Sequence, residues 1–496
     1  MTGIAIVNQN RKKHNPLKIL SPPDTQSQDN SIDVASWIRF LRELRIPGLF
    51  ASLTDVRQPG KTVYPLQSLL MWAFSGCAFR TGSKNALHTS LSSLHPHQRE
   101  GMLNLLGLKS GRLPHISTVD NALANLSLKS LSMIPINLVK QLEKRKFFYN
   151  HPELLPNNTL CIACDGFHTH TYDHPHATHE DGTNACPYCL PRKRHKGTEK
   201  ETTYWVHVSI TVALICNGMT LPLYFYPLKA LQVNSEQSDE KLKEECELKA
   251  TYAILPMIRE AFPRIPILFL GDALYANRPM IRLCNDLKID YLIVFKEGSL
   301  KKLNEKCNEL SELDLYQKHY THKIKEVVNS QTIEKQANWF NTVDIGEGVC
   351  TNVLRYKEIH HHKDGICEPG YAGGWITSKK LSSGNCFKIA QQGRMRWEHE
   401  DMHNTLNNRG YNMQHDMAWT NPHLALVWRL LTVIAHTVFT LFQCTTAAQA
   451  VRGSRSVKKF AQDLLQQLLS VPWKIIEQSH MLFQGRVQFR YRFEDY

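Results

Sequence analysis

Residues 159–166 read Thr159-Leu-Cys-Ile-Ala-Cys-Asp165-Gly166, an apolar run that ends in a carboxylate and then in a residue that can turn. Residues 265–272, Ile265-Pro-Ile-Leu-Phe-Leu-Gly-Asp272, repeat the pattern. Such runs are typical of buried strands, and each places an aspartate at the carboxyl end of its strand. If the strands are neighbours in one sheet, both carboxylates face one crevice. Like-charge repulsion disfavours that arrangement unless a divalent cation lies between them, so the pattern predicts a metal-dependent enzyme.

The composition indicates an anionic partner. The 496 residues carry 59 Lys and Arg against 45 Asp and Glu, a net charge of +14 with the 24 histidines neutral. Nucleic acid or a membrane surface would suit that charge; the alternative is a basic cytosolic protein. The thirteen cysteines, an odd number, are expected as thiols or metal ligands in a reducing compartment.

One segment, residues 424–442, is apolar enough to resemble a membrane span, but it contains Arg429 and His436. Both side chains are costly in hydrocarbon, so we expect a buried core helix and no membrane partner. No apolar segment follows the early basic residues 11–13, so nothing indicates secretion. The expected location is the cytoplasm.

Composition and periodicity divide the chain into four segments. Residues 1–30 are predicted as a flexible basic tail. Residues 31–155 have the pattern of short helices broken by prolines and are predicted as a helical N-terminal DNA-binding domain. Within it, residues 113–124 resemble part of a helix-turn-helix, the alternative being an ordinary helix in a small bundle. Residues 156–420 form the predicted catalytic core, and residues 421–496 a C-terminal helical region.

The core has an α/β pattern. A His- and Cys-rich loop over 166–203 follows the first strand, and two strand-like runs are then joined at Asn217-Gly218, a hairpin signal. A helix, a strand, a second helix over about 278–286 and another strand follow up to residue 295, which predicts a mixed sheet. A β-rich insertion is predicted over 325–380, and helix again over 385–408.

The segment 393–411 offers a third carboxylate: Gly393-Arg-Met-Arg-Trp-Glu-His-Glu-Asp-Met-His-Asn-Thr-Leu-Asn-Asn-Arg-Gly-Tyr411. At about 100° per residue, Glu398 lies among apolar positions, whereas Glu400 lies on a polar stripe. That stripe also contains Arg396, His403 and Asn407. Glu400 is therefore the predicted ligand, and Arg396 lies one turn before it, where a guanidinium can hold a phosphate oxygen next to a metal.

Together these motifs resemble the DDE transposases of bacterial insertion sequences, in particular the group whose third motif runs Arg-Trp-x-Ile-Glu-x-x-Phe-Asn-x-Leu-Lys followed by Gly-Tyr. The likeness extends over most of the chain. Its supporting stretches are Cys164-Asp-Gly166, Cys186-Pro-Tyr-Cys-Leu190, Glu245-Cys-Glu-Leu-Lys-Ala250, Leu270-Gly-Asp-Ala-Leu-Tyr-Ala276 and Trp375-Ile-Thr377. The resemblance implies a ribonuclease-H-like core in which Asp165, Asp272 and Glu400 hold two Mg²⁺ or Mn²⁺ ions. The activity it implies is DNA cleavage and strand transfer at the ends of an insertion sequence.

The resemblance also implies partners. The expected partner is double-stranded DNA, as terminal inverted repeats and as target, bound by a homodimer in a synaptic complex in the bacterial cytoplasm, associated with the nucleoid. The expected DNA contacts in the third motif are Arg394, Arg396, His403 and Asn407. His399 stands where the family has Ile, His403 where it has Phe and Asn407 where it has Lys. The alternative function is therefore a catalytically weakened DNA-binding repressor derived from such a transposase.

The loop over 166–203 contains candidate zinc ligands. Cys186-Pro-Tyr-Cys189 in a turn directs both sulfurs to one side, which suits a tetrahedral Zn²⁺. The histidines that could complete the site are His176, His179, His195 and His207, and the residues alone do not choose between them. Similarity to related transposases favours His207, and we take His179 as its companion. The alternative is free thiols on a loop.

A basic run, formed by Arg192, Lys193 and Arg194, follows these cysteines. Clustered cations of this kind bind phosphate backbones without reading sequence. We expect the run to contact DNA next to the catalytic carboxylates; the alternative is a solvated loop.

Overall fold

The computed structural model describes residues 33–482, with gaps at 110, 151, 153, 230–238, 297, 314–317, 329–330, 363–365, 416 and 419. The predicted tail over 1–30 lies outside the described residues. In the described part the architecture is mixed α/β, built on one mixed sheet of ten strands.

Short helices precede the first strand, as the proline-punctuated pattern predicts. They are α1 (Asp33–Glu43), α2 (Ile46–Ala51), α3 (Leu66–Ala78), α4 (Lys84–Ser92), α5 (Pro96–Leu105), α6 (Ile116–Leu123), α7 (Leu128–Lys144) and α8 (Phe147–Asn150). Local capping explains several starts. Ser83 caps α4 by accepting a hydrogen bond from the N–H of Ala86, and Pro96 opens α5, where a missing N–H does no harm.

The centre of the sheet contains both aspartate-bearing strands. β1 (Leu160–Tyr172) pairs antiparallel with β3 (Thr202–Cys216), which turns at Asn217-Gly218 into β4 (Met219–Pro227). On its other side β1 pairs in parallel with β5 (Ile267–Gly271), and β5 in parallel with β6 (Asp290–Val294). The predicted hairpin and the pairing of the two aspartate-bearing strands are confirmed. The predicted end of the first strand at Asp165 is wrong: β1 continues to Tyr172 because it keeps pairing with β3 beyond that residue. β2 (Leu190–Arg194) pairs with the outer end of β3.

Helices cover both faces of this centre. α9 (Asp239–Ala261) and α10 (Arg278–Asp286) link its strands, and α11 (Lys301–Glu312) follows β6. The single helix expected over 385–408 is two helices, α12 (Cys386–Arg394) and α13 (Trp397–Asn408), because the chain breaks at Met395 and Arg396. Side chains alternate along a strand. Asp165 lies on the face of β1 that α13 covers, and Gly166 lies on the face that α9 covers.

The inserted strands extend the same sheet. β7 (Thr321–Val328), β8 (Gln331–Asp344), β9 (Cys350–His361) and β10 (Cys367–Thr377) are antiparallel neighbours. β10 pairs with β6, with Trp375 opposite Val294. The strands predicted as an insertion therefore lie in the same sheet as the two aspartates.

The last helices are α14 (Pro422–Gln443), α15 (Thr446–Arg452), α16 (Val457–Ser470) and α17 (Trp473–Leu482). α14 is long and apolar enough to cross a membrane, but 94% of its apolar window is buried inside the protein, as expected of a core helix. α6 and α7 would be long and apolar enough only if they formed one continuous span, but the two helices meet at 94°. α14 packs against α3, α7 and β4, so helices from both ends of the chain share one core.

Candidate active site and metal cluster

Three carboxylates lie near the point where the pairing of β1 with β5 ends. Ala163 pairs with Leu270, so Asp165 and Asp272 each lie two residues beyond the same pair of the parallel strands. Asp272 caps the 3₁₀ turn Ala273–Tyr275, and its Oδ1 accepts a hydrogen bond of 2.9 Å from the N–H of Leu274. Glu400 lies in the first turn of α13. The structure thus brings the three predicted carboxylates to the same region from β1, β5 and α13.

The electrostatics of Asp165 connect these groups. Burial raises the pKa of Asp165 to about 6, the guanidinium of Arg396 opposes the rise, and the charges of Asp272 and Glu400 add to it. The Oδ1 atom of Asp165 accepts a hydrogen bond of 2.8 Å from the N–H of Gly166. Arg396 in turn binds Oε1 of Glu400 through Nη2 at 2.9 Å. The arrangement carries more negative than positive charge and would gain from a cation.

Glu398 points away from this group. Its Oε2 accepts a hydrogen bond of 3.3 Å from Thr220 on β4, and burial raises its pKa to about 7. The structure places Glu400, rather than Glu398, in the wall of a cleft that also contains Asp272.

This cleft, of about 1060 Å³, is lined by Asp272 and Glu400 and by residues of the inserted strands, and Asp165 is not part of its lining. Its lining includes the aromatic residues Phe340, Tyr356, Tyr371, Trp375 and Trp397 and the basic residues Lys296, Arg355, Lys357 and Arg396. Arg355 donates to the amide oxygens of Asn304 and Asn308 at 2.8 and 2.7 Å, and no carboxylate among the described residues forms an ion pair with it. A chain of bases and phosphates is complementary to such a lining.

Two of the predicted DNA contacts lie at this cleft. Arg396 lines it, and Arg394 forms a 2.7 Å ion pair with Glu358 of β9 while its guanidinium lies 4.4 Å from the ring centre of Tyr371, itself a lining residue. Nearly half of the Arg394 side chain is exposed, so it remains accessible to a ligand.

The two histidines of the third motif face the sheet instead. The hydroxyl of Thr211, opposite Asp165, lies 2.8 Å from Nε2 of His399 and 2.7 Å from Nε2 of His403, and it donates a 3.3 Å bond to the Asp165 carbonyl. Because a hydroxyl has one hydrogen, both rings then donate to it from Nε2. Burial lowers the pKa of His403 to about 4. His403, expected as a DNA contact, is thus directed towards the backbone of Asp165, and Asn407 is half-buried one turn further on.

A second group of candidate metal ligands lies near the carboxyl end of β1 and the beginning of β3. The ligand atoms of His176, Cys186, Cys189 and His207 all lie within 4.8 Å of one another. Nε2 of His207 is 3.6 Å from the Cys186 sulfur and 3.2 Å from the Cys189 sulfur, and Nδ1 of His176 is 3.0 Å from Nε2 of His207. These four residues could hold a metal ion such as zinc.

His179, the expected companion of His207, is outside this cluster. It is exposed and lies in a turn, where its N–H donates to the carbonyl of Thr183 at 2.8 Å. His176 is the second histidine of the cluster in place of His179. Its backbone N–H donates to the Cys189 sulfur at 3.4 Å, which holds the residue against the two cysteines. The sequence offered both histidines, and only the path of the loop distinguishes them.

The protonation states in the cluster suit a metal. Hydrogen bonds, first with Cys189 and then with His176 and His207, hold the pKa of the Cys186 thiol far below its usual value, and burial lowers the pKa of His207. Thiolate and neutral imidazole are the forms that bind zinc. Among the described residues the three carboxylates do not form a comparably tight group.

The basic run lies further from the carboxylates than expected. Arg192 pairs with Tyr204 of β3, seven residues along that strand from Thr211, the partner of Asp165. At ~3.3 Å per residue the separation is about 23 Å along the strand. Lys193 forms a 2.6 Å ion pair with Glu201, and Arg194 lies 4.6 Å from the ring centre of Tyr204. The run is not next to the catalytic candidates.

The sequence did not single out Arg355 and Lys357 of the cleft. They are two residues apart on β9 and so share a face, which is the one signal they give. Only the pairing of β10 with β6 brings that face near Asp272 and Glu400. A comparison with protein-family models and with curated proteins finds no match for the chain.

Proposed function

We propose that the chain is a DNA transposase with a ribonuclease-H-like core, which cleaves DNA and transfers strands at the ends of an insertion sequence. The observation that carries the proposal is that Asp165, Asp272 and Glu400, from β1, β5 and α13, lie near the end of the β1–β5 pairing. The strand order β4-β3-β1-β5-β6, with an antiparallel hairpin followed by parallel neighbours, supports it.

The donor set fits divalent metal ions. Carboxylate oxygens are the ligands that Mg²⁺ and Mn²⁺ prefer. Burial first, and then the charges of Asp272 and Glu400, raise the pKa of Asp165, and a cation would offset both effects. Asp165, Asp272 and Glu400 are the residues that would hold such ions.

When bound, such ions would activate a water or a 3′-hydroxyl and stabilise the leaving oxygen in an in-line displacement at phosphorus. The protein supplies the positioning. The N–H of Leu274 fixes one oxygen of Asp272, and Thr211 anchors the backbone of Asp165. Arg396 orients Glu400 and can hold a non-bridging phosphate oxygen through its remaining N–H groups.

Double-stranded DNA is the partner that the cleft supports. Its basic residues would contact phosphates, and its aromatic residues would stack on bases at an opened strand end. The net charge of +14 favours the same class of partner. Terminal inverted repeats, target DNA and a synaptic homodimer follow from the resemblance to transposases.

A second candidate is a DNA-binding repressor without catalysis. It is kept by Asn407, which stands where the related transposases have a phosphate-contacting lysine, and by the inward orientation of His403. The two candidates differ in cleavage: both bind the repeats, and only a transposase cuts them in Mg²⁺.

The test uses purified protein with DNA that carries the repeats flanking its gene. We expect Mg²⁺-dependent cleavage at the repeat ends, and its loss in Asp165→Ala, Asp272→Ala and Glu400→Ala with DNA binding retained. Glu398→Gln is the matched control and should still cleave, because that side chain bonds to Thr220 outside the cleft. Cleavage retained in any of the three alanine variants removes that residue from the site, and a wild type that binds without cleaving favours the repressor.

We also propose that the His176, Cys186, Cys189 and His207 cluster holds a structural zinc ion that ties the loop to β3. Two thiolates and two imidazoles in one tetrahedral-sized space support it. Elemental analysis should find one zinc per wild-type chain, none in Cys186→Ser or His176→Ala, and a full complement in the control His179→Ala. The absence of bound zinc from purified wild-type protein would refute this assignment.

A further inference from the structure

One hydroxyl connects the strand of Asp165 to the helix of Glu400. Thr211 of β3 is buried and lies opposite Asp165 in the register of β1 and β3. Its Oγ1 atom lies 2.8 Å from Nε2 of His399 and 2.7 Å from Nε2 of His403, both on α13. The same hydroxyl donates to the carbonyl of Asp165 at 3.3 Å. β1, β3 and α13 therefore meet at a single oxygen atom.

The two imidazole rings have fixed places and fixed protons. Their centres are 4.6 Å apart, and the ring of His403 lies 4.9 Å from that of Phe167 on β1. Nδ1 of His399 is buried and has no hydrogen-bond partner among the described residues, so a proton on this atom would be left unsatisfied. Burial lowers the pKa of both histidines. Both rings are thus neutral, with the proton on the Nε2 atom that faces the hydroxyl.

The two histidines lie on the same helix as a metal-ligand candidate. His399 directly precedes Glu400, and His403 follows it by three residues, so both rings are within one helical turn of this carboxylate. A shift of α13 along β3 would break the bonds to Thr211 and change the distance between Glu400 and Asp165. Hydrogen bonds have a defined length and direction, whereas apolar contacts do not. These bonds therefore fix the position of α13 more closely than apolar side chains would.

We infer that Thr211, His399 and His403 are positioning residues that set the spacing of Asp165 and Glu400 and thereby the affinity of the site for divalent metal ions. The inference rests on the proposed function, because it takes these two carboxylates as metal ligands. The three residues, called the clamp below, act through the backbone of Asp165 and the helix of Glu400. Groups that orient metal ligands in this way commonly change metal affinity by about 10- to 100-fold.

The test measures Mn²⁺ binding to the full-length protein without DNA, from the electron paramagnetic resonance signal of free Mn²⁺. Thr211→Val keeps the shape and removes the hydroxyl, and we expect it to weaken Mn²⁺ binding by about tenfold. Thr211→Ser keeps the hydroxyl and should bind nearly as the wild type does.

The matched control is Thr437→Val. Thr437 is also buried, and its hydroxyl also donates to the carbonyl of a strand residue, Pro222 on β4, at 3.2 Å. It lies on α14, which carries none of the three carboxylates. This variant loses a comparable hydrogen bond, so it should lose comparable stability and still bind Mn²⁺ as the wild type does.

A second pair of variants covers the case in which Thr211→Val does not fold. His403→Phe introduces the residue that the related transposases have at this position and removes one N–H donor. His403→Gln keeps an N–H donor. We expect weaker Mn²⁺ binding in His403→Phe than in His403→Gln. DNA binding without divalent metal should be unchanged in both, because the clamp faces the sheet rather than the cleft.

Wild-type Mn²⁺ affinity in folded Thr211→Val overturns the inference, as do equal affinities in His403→Phe and His403→Gln. An equal loss in Thr437→Val, or a parallel loss of DNA binding, would show a general structural defect and overturn it too. If Asp165→Asn weakens Mn²⁺ binding while Thr211→Val does not, the proposed function stands without the clamp. A wild type that binds no Mn²⁺ removes both.

Discussion

Replacing Asp165 with asparagine should stabilise the metal-free protein at neutral pH, because the amide keeps the shape and removes a charge that the fold disfavours. Burial, reinforced by the charges of Asp272 and Glu400 and opposed by Arg396, raises the pKa of Asp165 from 3.8 to about 6. At ~1.4 kcal/mol per pH unit, this difference corresponds to about 3 kcal/mol of unfolding free energy. A residue that supports function is thus expected to lower the stability of the empty site.

The pH dependence has a definite sign. Since the folded state favours the protonated carboxyl, the ionised form destabilises the wild type. The penalty is absent well below pH 3.8, grows as the pH rises towards 6 and is complete above that value. The gain from Asp165→Asn should therefore be largest near neutral pH and fall to roughly half, about 1.6 kcal/mol, near pH 5.

Urea unfolding in buffer without added Mg²⁺, at about pH 5 and at neutral pH, measures both free energies. EDTA is left out because it would also remove the proposed zinc ion. Repeating the measurement in Mg²⁺ should stabilise the wild type and leave Asp165→Asn unchanged, because only the wild type retains the ligand. Asp286→Asn, an exposed carboxylate at the end of α10, serves as the control and should change little. Asp165→Asn with unchanged or lower stability at neutral pH without Mg²⁺ would refute the reasoning.

Two further predictions concern DNA. Arg355→Ala should weaken DNA binding and lower the slope of log affinity against log salt concentration by about 1. The reason is that Arg355 lines the cleft and forms no ion pair with a carboxylate among the described residues, so it is available to a phosphate. An unchanged slope contradicts this contact. The basic run lies ~23 Å from the carboxylates, which is the length of about 7 base pairs. A triple alanine variant should therefore bind long duplexes more weakly, and duplexes that end within about 5 base pairs of the cut as well as the wild type does; the replaced residues are Arg192, Lys193 and Arg194. Equal losses on both lengths would place the run at the carboxylates after all.

The elements that the sequence predicted well have strong local signals. The helix predicted over 278–286 is α10 with the same bounds, because Asn277 caps it and Pro279 lies in its first turn. Asn217-Gly218 forms the predicted hairpin turn between β3 and β4. The paired aspartates were recoverable because each follows a buried apolar run, although only β5 ends there and β1 continues past Asp165 to Tyr172.

The remaining features depend on contacts between distant residues. Nothing local indicates that β10 pairs with β6, so the cleft residue Arg355 could not be placed from its own neighbours. The helix break at Arg396 has no proline or glycine at that position, and Arg396 keeps right-handed helical angles. His176 and His179 are equivalent as ligand types, and the Cys189 hydrogen bond that separates them forms only once the loop folds back.

The substitutions in the third motif bear on two different properties. His399 and His403 bond to Thr211 and through it to the backbone of Asp165, so they act on the position of a carboxylate rather than on contact with DNA. The argument for weakened DNA contact then rests on Asn407 alone, a single lost cation. Arg355 and Lys357 add positive charge across the cleft from Glu400, and each phosphate contact contributes separately to affinity. These charges favour retained DNA contact, which both candidates require, so cleavage is the property that separates the proposed transposase from the repressor.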